Sequence, residues 1–126
     1  MYNVNRQCIH KTKSKIFVSK KLPSITDEYG NEITQYDEPQ KFMFNVQPLT
    51  EDSEIREFGE LVNSMRRITI TNKPKYLNVF TEFDKVYVDN RPNSNEIEYG
   101  ENADYRIYLV RNQNTMIVVY LIKEVK

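Results

Sequence analysis

The chain has 126 residues, of which 18 are basic and 18 acidic, so its formal net charge is zero. This length fits one domain over residues 1–126, and the balanced charge argues against a general attraction to nucleic acid or to a membrane surface. No apolar run approaches the ~20 residues of a membrane span, and the first part of the chain holds no apolar signal-peptide core. The sequence therefore predicts no membrane partner and a protein made and kept in the cytoplasm.

The balanced charge is unevenly distributed along the chain. Residues 1–21 carry bases and no acid, whereas Asp27 to Glu60 holds ten acids and only Lys41 and Arg56 as bases. These opposite charges either form two solvated surfaces, or they meet between copies of the protein, or one of them faces DNA or a neighbouring assembly. The bases of the first segment are Arg6, Lys11, Lys13, Lys15, Lys20 and Lys21.

The first part of the chain reads as an arm, a strand and a long loop. Residues 1–14 are basic and lack periodicity, which predicts a flexible arm. Lys15 to Ser19 has strand composition, and Pro23 ends it because proline cannot donate to a ladder. Residues 24–39 are polar and acidic, so we expect a loop or hairpin that projects from the core, with Tyr29-Gly30-Asn31 at its tip.

A strand and a short helix follow. Phe42, Phe44 and Val46 alternate with Lys41, Met43, Asn45 and Gln47, which is typical of a half-buried strand over 40–49. Asp52 or Ser53 can cap a helix of about two turns, which Gly59 ends in a left-handed conformation. We expect this helix to pack Ile55 and Phe58 against the sheet.

The last half of the chain is dominated by strand-forming residues. Met65–Thr71 and Phe83–Val88 each predict one strand, and Tyr76–Phe80 is a shorter apolar stretch. Tyr105–Val110 and Met116–Ile122 predict an antiparallel hairpin joined by the five residues 111–115. Because both faces of the last strand are apolar, we expect it to be central and covered on two sides.

These elements predict a mostly β fold. Strands at this spacing with turn residues between them favour a small β-barrel or β-sandwich, with a long projecting loop, one short helix and a β core over residues 40–125.

The sequence offers little for catalysis or cofactor binding. The single cysteine, Cys8, and the single histidine, His10, lie two positions apart with no third group to orient them, and they fall short of a zinc ligand set. The glycines are isolated, so no phosphate-binding loop can form. We expect no enzymatic activity, no catalytic residue, no metal and no cofactor, and a structural or incidental role for Cys8.

Several segments together carry a resemblance to the head-tail connector proteins of tailed phages, also called head-closure, stopper or head-completion proteins. Thr81–Val88 resembles the strand of that family with the order Asp, basic residue, apolar residue, Tyr, and Tyr105-Arg106-Ile107 resembles the strand after it. In that family an apolar last strand follows these two strands, and Met116–Ile122 resembles it. The amino half is also similar, from Tyr36 to Pro48 and in the helical turn Ile55–Gly59, so the resemblance covers residues 36–125.

The resemblance implies a structural virion protein. It implies a ring, by analogy of twelve copies, that joins the portal or adaptor protein to the tail terminator or tail tube and keeps packaged DNA in the head. The chain would lie in the virion neck after assembly in the host cytoplasm, and a copy alone can be monomeric. DNA in the channel would be contacted without sequence-specific binding.

Two sets of residues become candidates under this reading. The basic residues from Arg6 to Lys21 would contact a neighbouring subunit or ring. The loop would face the channel as a stopper, through Asp27, Glu28, Tyr29, Gly30, Asn31, Glu32, Tyr36 and Asp37. The alternatives are a tail-terminator ring protein, or a small phage or bacterial binding or regulatory module without catalysis.

Overall fold

A computed structural model of the chain describes residues 13–76, 79–93, 95–96 and 98–124. Within these residues the strands are β1 (Ser14–Ser19), β2 (Ile25–Thr26), β3 (Glu32–Ile33), β4 (Gln40–Phe44), β5 (Val46–Pro48), β6 (Met65–Thr71), β7 (Lys85–Tyr87), β8 (Tyr105–Asn112) and β9 (Met116–Lys123). The helix α1 spans Asp52–Phe58, and 3-10 turns cover Gly59–Ser64 and Pro74–Tyr76. The predicted mostly β fold with one short helix is confirmed.

Seven strands form one antiparallel sheet in the order β4-β1-β7-β8-β9-β6-β5, and the sheet curls into a half-barrel. Its two edge strands, β4 and β5, are separated in the chain by Asn45 alone. The predicted single strand over 40–49 is therefore two strands, because the chain leaves β1 at Asn45 and pairs next with β6. This change of partner draws the two edges of the sheet towards each other.

The concave side of the sheet holds the larger hydrophobic cluster. Alternate residues of each strand point into it, as the period of two requires. Its buried members are Ile16, Val18, Ile68, Ile70, Phe80, Val86, Tyr105, Ile107, Ile117, Val119 and Leu121.

Strand β9 is covered on both faces, as predicted. Ile117, Val119 and Leu121 belong to the inner cluster, while Val118 and Tyr120 belong to a second cluster on the outer face. Helix α1 covers this outer cluster, where the ring of Phe58 lies 5.1 Å from that of Tyr120 and 6.2 Å from that of Tyr108. The helix thus supplies the second layer that an apolar outer face needs.

The orientation of α1 differs from the predicted one. Phe58 is buried as expected, but the prediction for Ile55 is wrong, because 45% of its surface is exposed. Glu54, one turn before Phe58, is buried instead and binds Arg67 Nη1 at 2.6 Å. The outward-facing Arg67 of β6 needs a carboxylate, and this pair turns the Glu54–Phe58 side of the helix towards the sheet.

The ends of α1 also differ from the prediction. The N-cap is Glu51 and neither Asp52 nor Ser53, and its backbone amide donates to Glu54 Oε1 at 3.3 Å. Gly59 ends the helix with φ +60°, yet its ψ of −134° lies outside the left-handed helical region. The chain therefore continues into a 3-10 turn.

Three further element boundaries differ from the predicted ones. The β8–β9 link is residues 113–115 and is shorter than predicted, because Arg111 and Asn112 stay paired to Val118 and Ile117. Of the predicted strand 83–88, only Lys85–Tyr87 is strand, since Phe83 has φ +76°. Ser14 already belongs to β1, and residues 1–12 of the predicted arm lie outside the described residues.

Candidate functional site

The predicted projecting loop is a two-stranded hairpin built on β2 and β3. Ile25 pairs with Ile33 and Thr26 with Glu32. Apart from Asp27, each residue from Pro23 to Gln35 is exposed. The hairpin is therefore an excursion from the body of the protein, held by its own ladder and by its root.

The tip of the hairpin is a tight turn organised by Asp27. Its Oδ1 accepts hydrogen bonds from the backbone amides of Tyr29 at 2.9 Å and Asn31 at 2.8 Å. Gly30 has φ +84°, a conformation that glycine adopts without steric cost. The turn presents Tyr29, which is 81% exposed, at the point furthest along the hairpin from its root.

The hairpin carries strong negative charge. Residues 24–39 contain five acids and no base. Among the described residues none of these acids takes part in an ion pair. Of the predicted channel-facing residues, those from Asp27 to Glu32 lie in the tip, whereas Tyr36 and Asp37 lie at the root.

The root of the hairpin is fixed to the body by backbone pairing. Lys21 and Tyr36 form an antiparallel bridge. The Leu22 amide donates to the Gln35 carbonyl at 2.9 Å, and the Asp37 amide donates to the Lys20 carbonyl at 2.8 Å. The hairpin therefore leaves the body along a defined direction.

Buried Asp84 ties this root to the segment before β7. Its carboxylate accepts hydrogen bonds from the Lys21 amide at 2.8 Å and from the Thr81 amide at 3.1 Å. The Thr81 hydroxyl donates to it at 3.0 Å, and Lys20 Nζ lies 3.2 Å away. Because Asp84 is 0% exposed, these donors replace its hydration shell.

A cleft of about 690 Å³ separates the hairpin from the loop around Glu96. Aromatic rings and carboxylates line it together, which suits a cationic or amphipathic group. Its lining residues are Leu22, Ile33, Thr34, Gln35, Tyr36, Asn93, Glu96, Glu98 and Tyr99.

Tyr87 and Glu96 hold the far wall of this cleft. The buried Tyr87 hydroxyl donates to Glu96 Oε2 at 2.6 Å and accepts from the Gly100 amide at 2.8 Å. Glu96 also accepts from the backbone amides of Asn93 at 2.9 Å and Asn102 at 3.0 Å. Burial, reinforced by the Glu96 carboxylate, raises the pKa of Tyr87 well above its usual range.

The raised pKa of Tyr87 predicts a loss of stability in alkali. A phenol that keeps its proton in the fold contributes stability that is present below the unfolded-state pKa of ~10 and is lost as the pH rises beyond it. Between about pH 10 and 12, the free energy of unfolding should fall less steeply for Tyr87→Phe than for the wild type, as urea denaturation would measure. The exposed-site variant Tyr29→Phe is the control, and equal slopes in Tyr87→Phe and the wild type would contradict the assignment.

The predicted basic contact residues have different surroundings. Lys13 and Lys15 are exposed, whereas Lys20 is committed to Asp84 and to the carbonyl of Val79. Lys21 is exposed, with its Nζ 5.5 Å from the ring centre of Phe83. Arg6 and Lys11 lie outside the described residues, as do Cys8 and His10.

Phe83 is a surface feature that the sequence did not indicate. It is 54% exposed, has φ +76°, and lies between Lys21 and the Arg106 guanidinium, which is 6.0 Å from its ring centre. Its amide donates to the Ile107 carbonyl at 2.9 Å, and Ile107 donates back to the Asp84 carbonyl, which holds the unusual backbone in place. A positive φ depends on tertiary pairing, so no local pattern could have revealed it.

The strained backbone at Phe83 predicts that glycine destabilises the protein less than alanine does at this position. Phe83→Ala loses the ring and keeps the strain, whereas Phe83→Gly also loses the ring but relieves the strain. We expect Phe83→Gly to be more stable than Phe83→Ala by about 1 kcal/mol in chemical denaturation. An alanine variant as stable as the glycine variant would show that the conformation costs nothing.

The described residues contain no group of three or more His, Cys, Asp or Glu side chains that could hold a metal ion. In the same part of the chain, no helix is long and apolar enough to cross a membrane. The expected absence of catalysis and cofactors stays a prediction. What the site offers chemically is charge and contact surface.

Comparisons of the chain with protein-family models, with curated proteins and with solved structures gave no match.

Proposed function

We propose that this chain is a structural subunit of a ring between the portal or adaptor and the tail of a tailed phage, where it closes the head and retains packaged DNA. The resemblance over residues 36–125 motivates the proposal. The mostly β body suits a subunit that acts by contacting other proteins. The observation that carries it is the acidic hairpin, which is exposed along its length and fixed at its root.

The charge of the hairpin suits a channel through which DNA passes. Double-stranded DNA carries one negative charge per ~1.7 Å of axis, so carboxylates close to it repel the phosphates and prevent adhesion. At physiological salt this repulsion acts over only ~8 Å, so the tip would affect DNA that is nearly in contact. Glu28 and Glu32, both exposed and outside any ion pair among the described residues, would supply it.

The rigid root is the second requirement of a stopper. DNA under pressure would push on the hairpin, so the load must reach the body through fixed contacts. The Lys21–Tyr36 bridge and the hydrogen bond that Asp84 accepts from the Lys21 amide provide such a path. On this proposal the partners are further copies of the chain, the portal or adaptor, the tail terminator or tail tube, and DNA bound without sequence preference.

Shortening the hairpin tests the proposal. Replacing residues 26–32 by two glycines removes the tip and leaves the root bonds of Leu22 and Asp37 in place. We expect particles that assemble a neck but retain far fewer genomes, measured as the ratio of DNA-filled to empty heads. The control is Glu82→Lys, a charge change at an exposed acid outside the hairpin. Normal genome retention by the shortened chain in particles that contain it would refute the stopper role.

The cleft supports a second candidate, a small binding module without catalysis. Its walls combine Tyr36 and Tyr99 with Glu98, a set that can hold a cationic group. Ring insertion with a portal partner distinguishes the two functions, because only a connector subunit would add a ring to the portal.

A further inference from the structure

One exposed surface of the half-barrel is basic and partly apolar. In the β1–β4 ladder, Lys15 faces Met43 and Phe17 faces Lys41, so these four side chains share the outer side. Their neighbours Ile16 and Val18 point into the core. We call this surface the basic strand face, and it consists of Lys13, Lys15, Phe17, Lys41 and Met43.

The lysines of the basic strand face have no acidic partner within the part of one copy that the structure describes. Lys13, Lys15 and Lys41 are exposed, and none of them forms an ion pair among the described residues. Met43 is 47% exposed between them. An apolar side chain among unpaired cations fits a partner surface with an apolar side chain among carboxylates.

A second surface has that composition. Because Glu54 and Phe58 face the sheet, α1 turns its other side outwards, and the following 3-10 turn extends it. Ile55 is 45% exposed and Leu61 44%. We call this surface the acidic helix face, and it consists of Asp52, Ile55, Glu60 and Leu61.

The acidic helix face is negative even after its neighbours are counted. Asp52 and Glu60 are exposed and form no ion pair among the described residues, while Glu51 and Glu57 are paired with Arg67 and Arg111. The one base on this segment is Arg56, whose Nε lies 3.5 Å from the Asp52 carbonyl. The acidic helix face therefore presents two exposed acids, and the basic strand face presents three exposed lysines.

The two surfaces lie on different parts of the curled sheet. The basic strand face belongs to the first two strands in sheet order, and α1 packs on β9 and β8, the fifth and fourth. A contact between them thus joins different patches of two copies. Contacts of this head-to-tail kind build rings when the rotation closes, whereas two-fold contacts build only dimers.

We propose that the acidic helix face of one copy docks on the basic strand face of the next copy. The partner is a second copy of this chain, and closure into a ring rests on the proposed function. Lys15 and Lys41 lie against Asp52 and Glu60 of the neighbour, and Met43 packs against Ile55 and Leu61. The contact would cover Ile55 of α1 and Leu61 of the following 3-10 turn, which are both exposed in a single copy.

Cysteine cross-linking tests the contact directly. In a Cys8→Ser background, a chain with both Met43→Cys and Ile55→Cys should give an oxidised ladder of dimers, trimers and higher species. A mixture of the two single variants should stop at dimers, because each copy then has one reactive surface. The control pair is Lys73→Cys with Ile55→Cys, which should give no ladder. Because Met43 and Ile55 are both about half exposed, the substitutions leave the core intact.

Charge reversal provides a second test of the proposed contact. In the cross-linking chain, Lys15→Glu with Lys41→Glu should abolish the ladder, and adding Asp52→Lys with Glu60→Lys should restore it. Restoration supports a direct charge contact, since a folding defect would not be repaired by further substitution.

Three outcomes overturn the proposed interface, and a fourth supports it while refuting the proposed function. Dimers of Met43→Cys alone, with no ladder from the double variant, would indicate a two-fold contact. A ladder from Met43→Cys with Tyr29→Cys in place of Ile55→Cys would assign the basic face to the hairpin of the neighbour. If the double variant adds a ring to a portal but gives no ladder within that ring, the interface is wrong and the proposed function stands. A ladder without portal binding would support the interface and refute the connector role.

Discussion

Replacing Asp84 by alanine should lower the free energy of unfolding by about 3–5 kcal/mol. The carboxylate is 0% exposed and accepts the amides of Lys21 and Thr81 and the Thr81 hydroxyl, with Lys20 Nζ 3.2 Å away. Alanine leaves two backbone amides without an acceptor and removes the counter-charge of Lys20. Urea denaturation of the two proteins measures the difference.

Two controls separate this effect from a general sensitivity of the segment. Glu82→Ala changes an exposed acid two residues away and should alter the free energy of unfolding by less than ~0.5 kcal/mol. Thr81→Val removes one of the hydrogen bonds to Asp84 and should cost about 1 kcal/mol. A loss below about 1 kcal/mol in Asp84→Ala would show that the network does not hold the hairpin root.

Replacing Phe58 by alanine should cost about 3–5 kcal/mol. Its ring is 9% exposed, packs on Tyr108 and Tyr120, and lies 5.9 Å from the Arg111 guanidinium. Truncation opens a cavity between α1 and the outer face of β9, where few other side chains can move in. Thermal or urea denaturation provides the value.

The matched control is Ile55→Ala in the same helix. Because Ile55 is 45% exposed, and alanine is the better helix former, its stability should stay within ~0.5 kcal/mol of the wild type. Equal costs at Phe58 and Ile55 would contradict the observed orientation of α1. On the proposed interface, Ile55→Ala weakens self-association without weakening the fold.

The local patterns that predicted the fold were those with a single dominant physical cause. The apolar faces of 116–122 predicted a central strand, because only a strand covered on two sides can bury both sets of side chains. The acidic stretch with Gly30 predicted an excursion with a turn, since charged residues stay solvated and glycine permits the turn. Both elements are present in the structure.

Elements decided by distant partners escaped prediction. Ile55 and Phe58 are both apolar and three residues apart, and only the position of Arg67 on β6 favours burial of Glu54 over that of Ile55. The split at Asn45 depends on the sheet curling until β4 and β5 pair with different strands. The positive φ of Phe83 is set by hydrogen bonds with Ile107, which is distant in sequence.

In the candidate site, too, features set by local sequence could be predicted and features set by distant partners could not. The charge of residues 27–32 and the exposure of residues 28–32 could be read from the sequence, and so could the exposure of Lys13 and Lys15. The burial of Asp84 and its ion pair with Lys20 could not be predicted. Both depend on where the segment before β7 meets the root of the hairpin. A lysine in a basic stretch looks the same in sequence whether its ammonium meets solvent or a buried carboxylate.

Electron microscopy of the chain mixed with a tailed-phage portal protein, with and without the adaptor of that portal, shows whether the proposed ring forms. On the proposed function, we expect a closed ring of this chain stacked on the portal, with its acidic hairpins directed towards the channel. A portal that stays bare at concentrations where the chain is in large excess would contradict it.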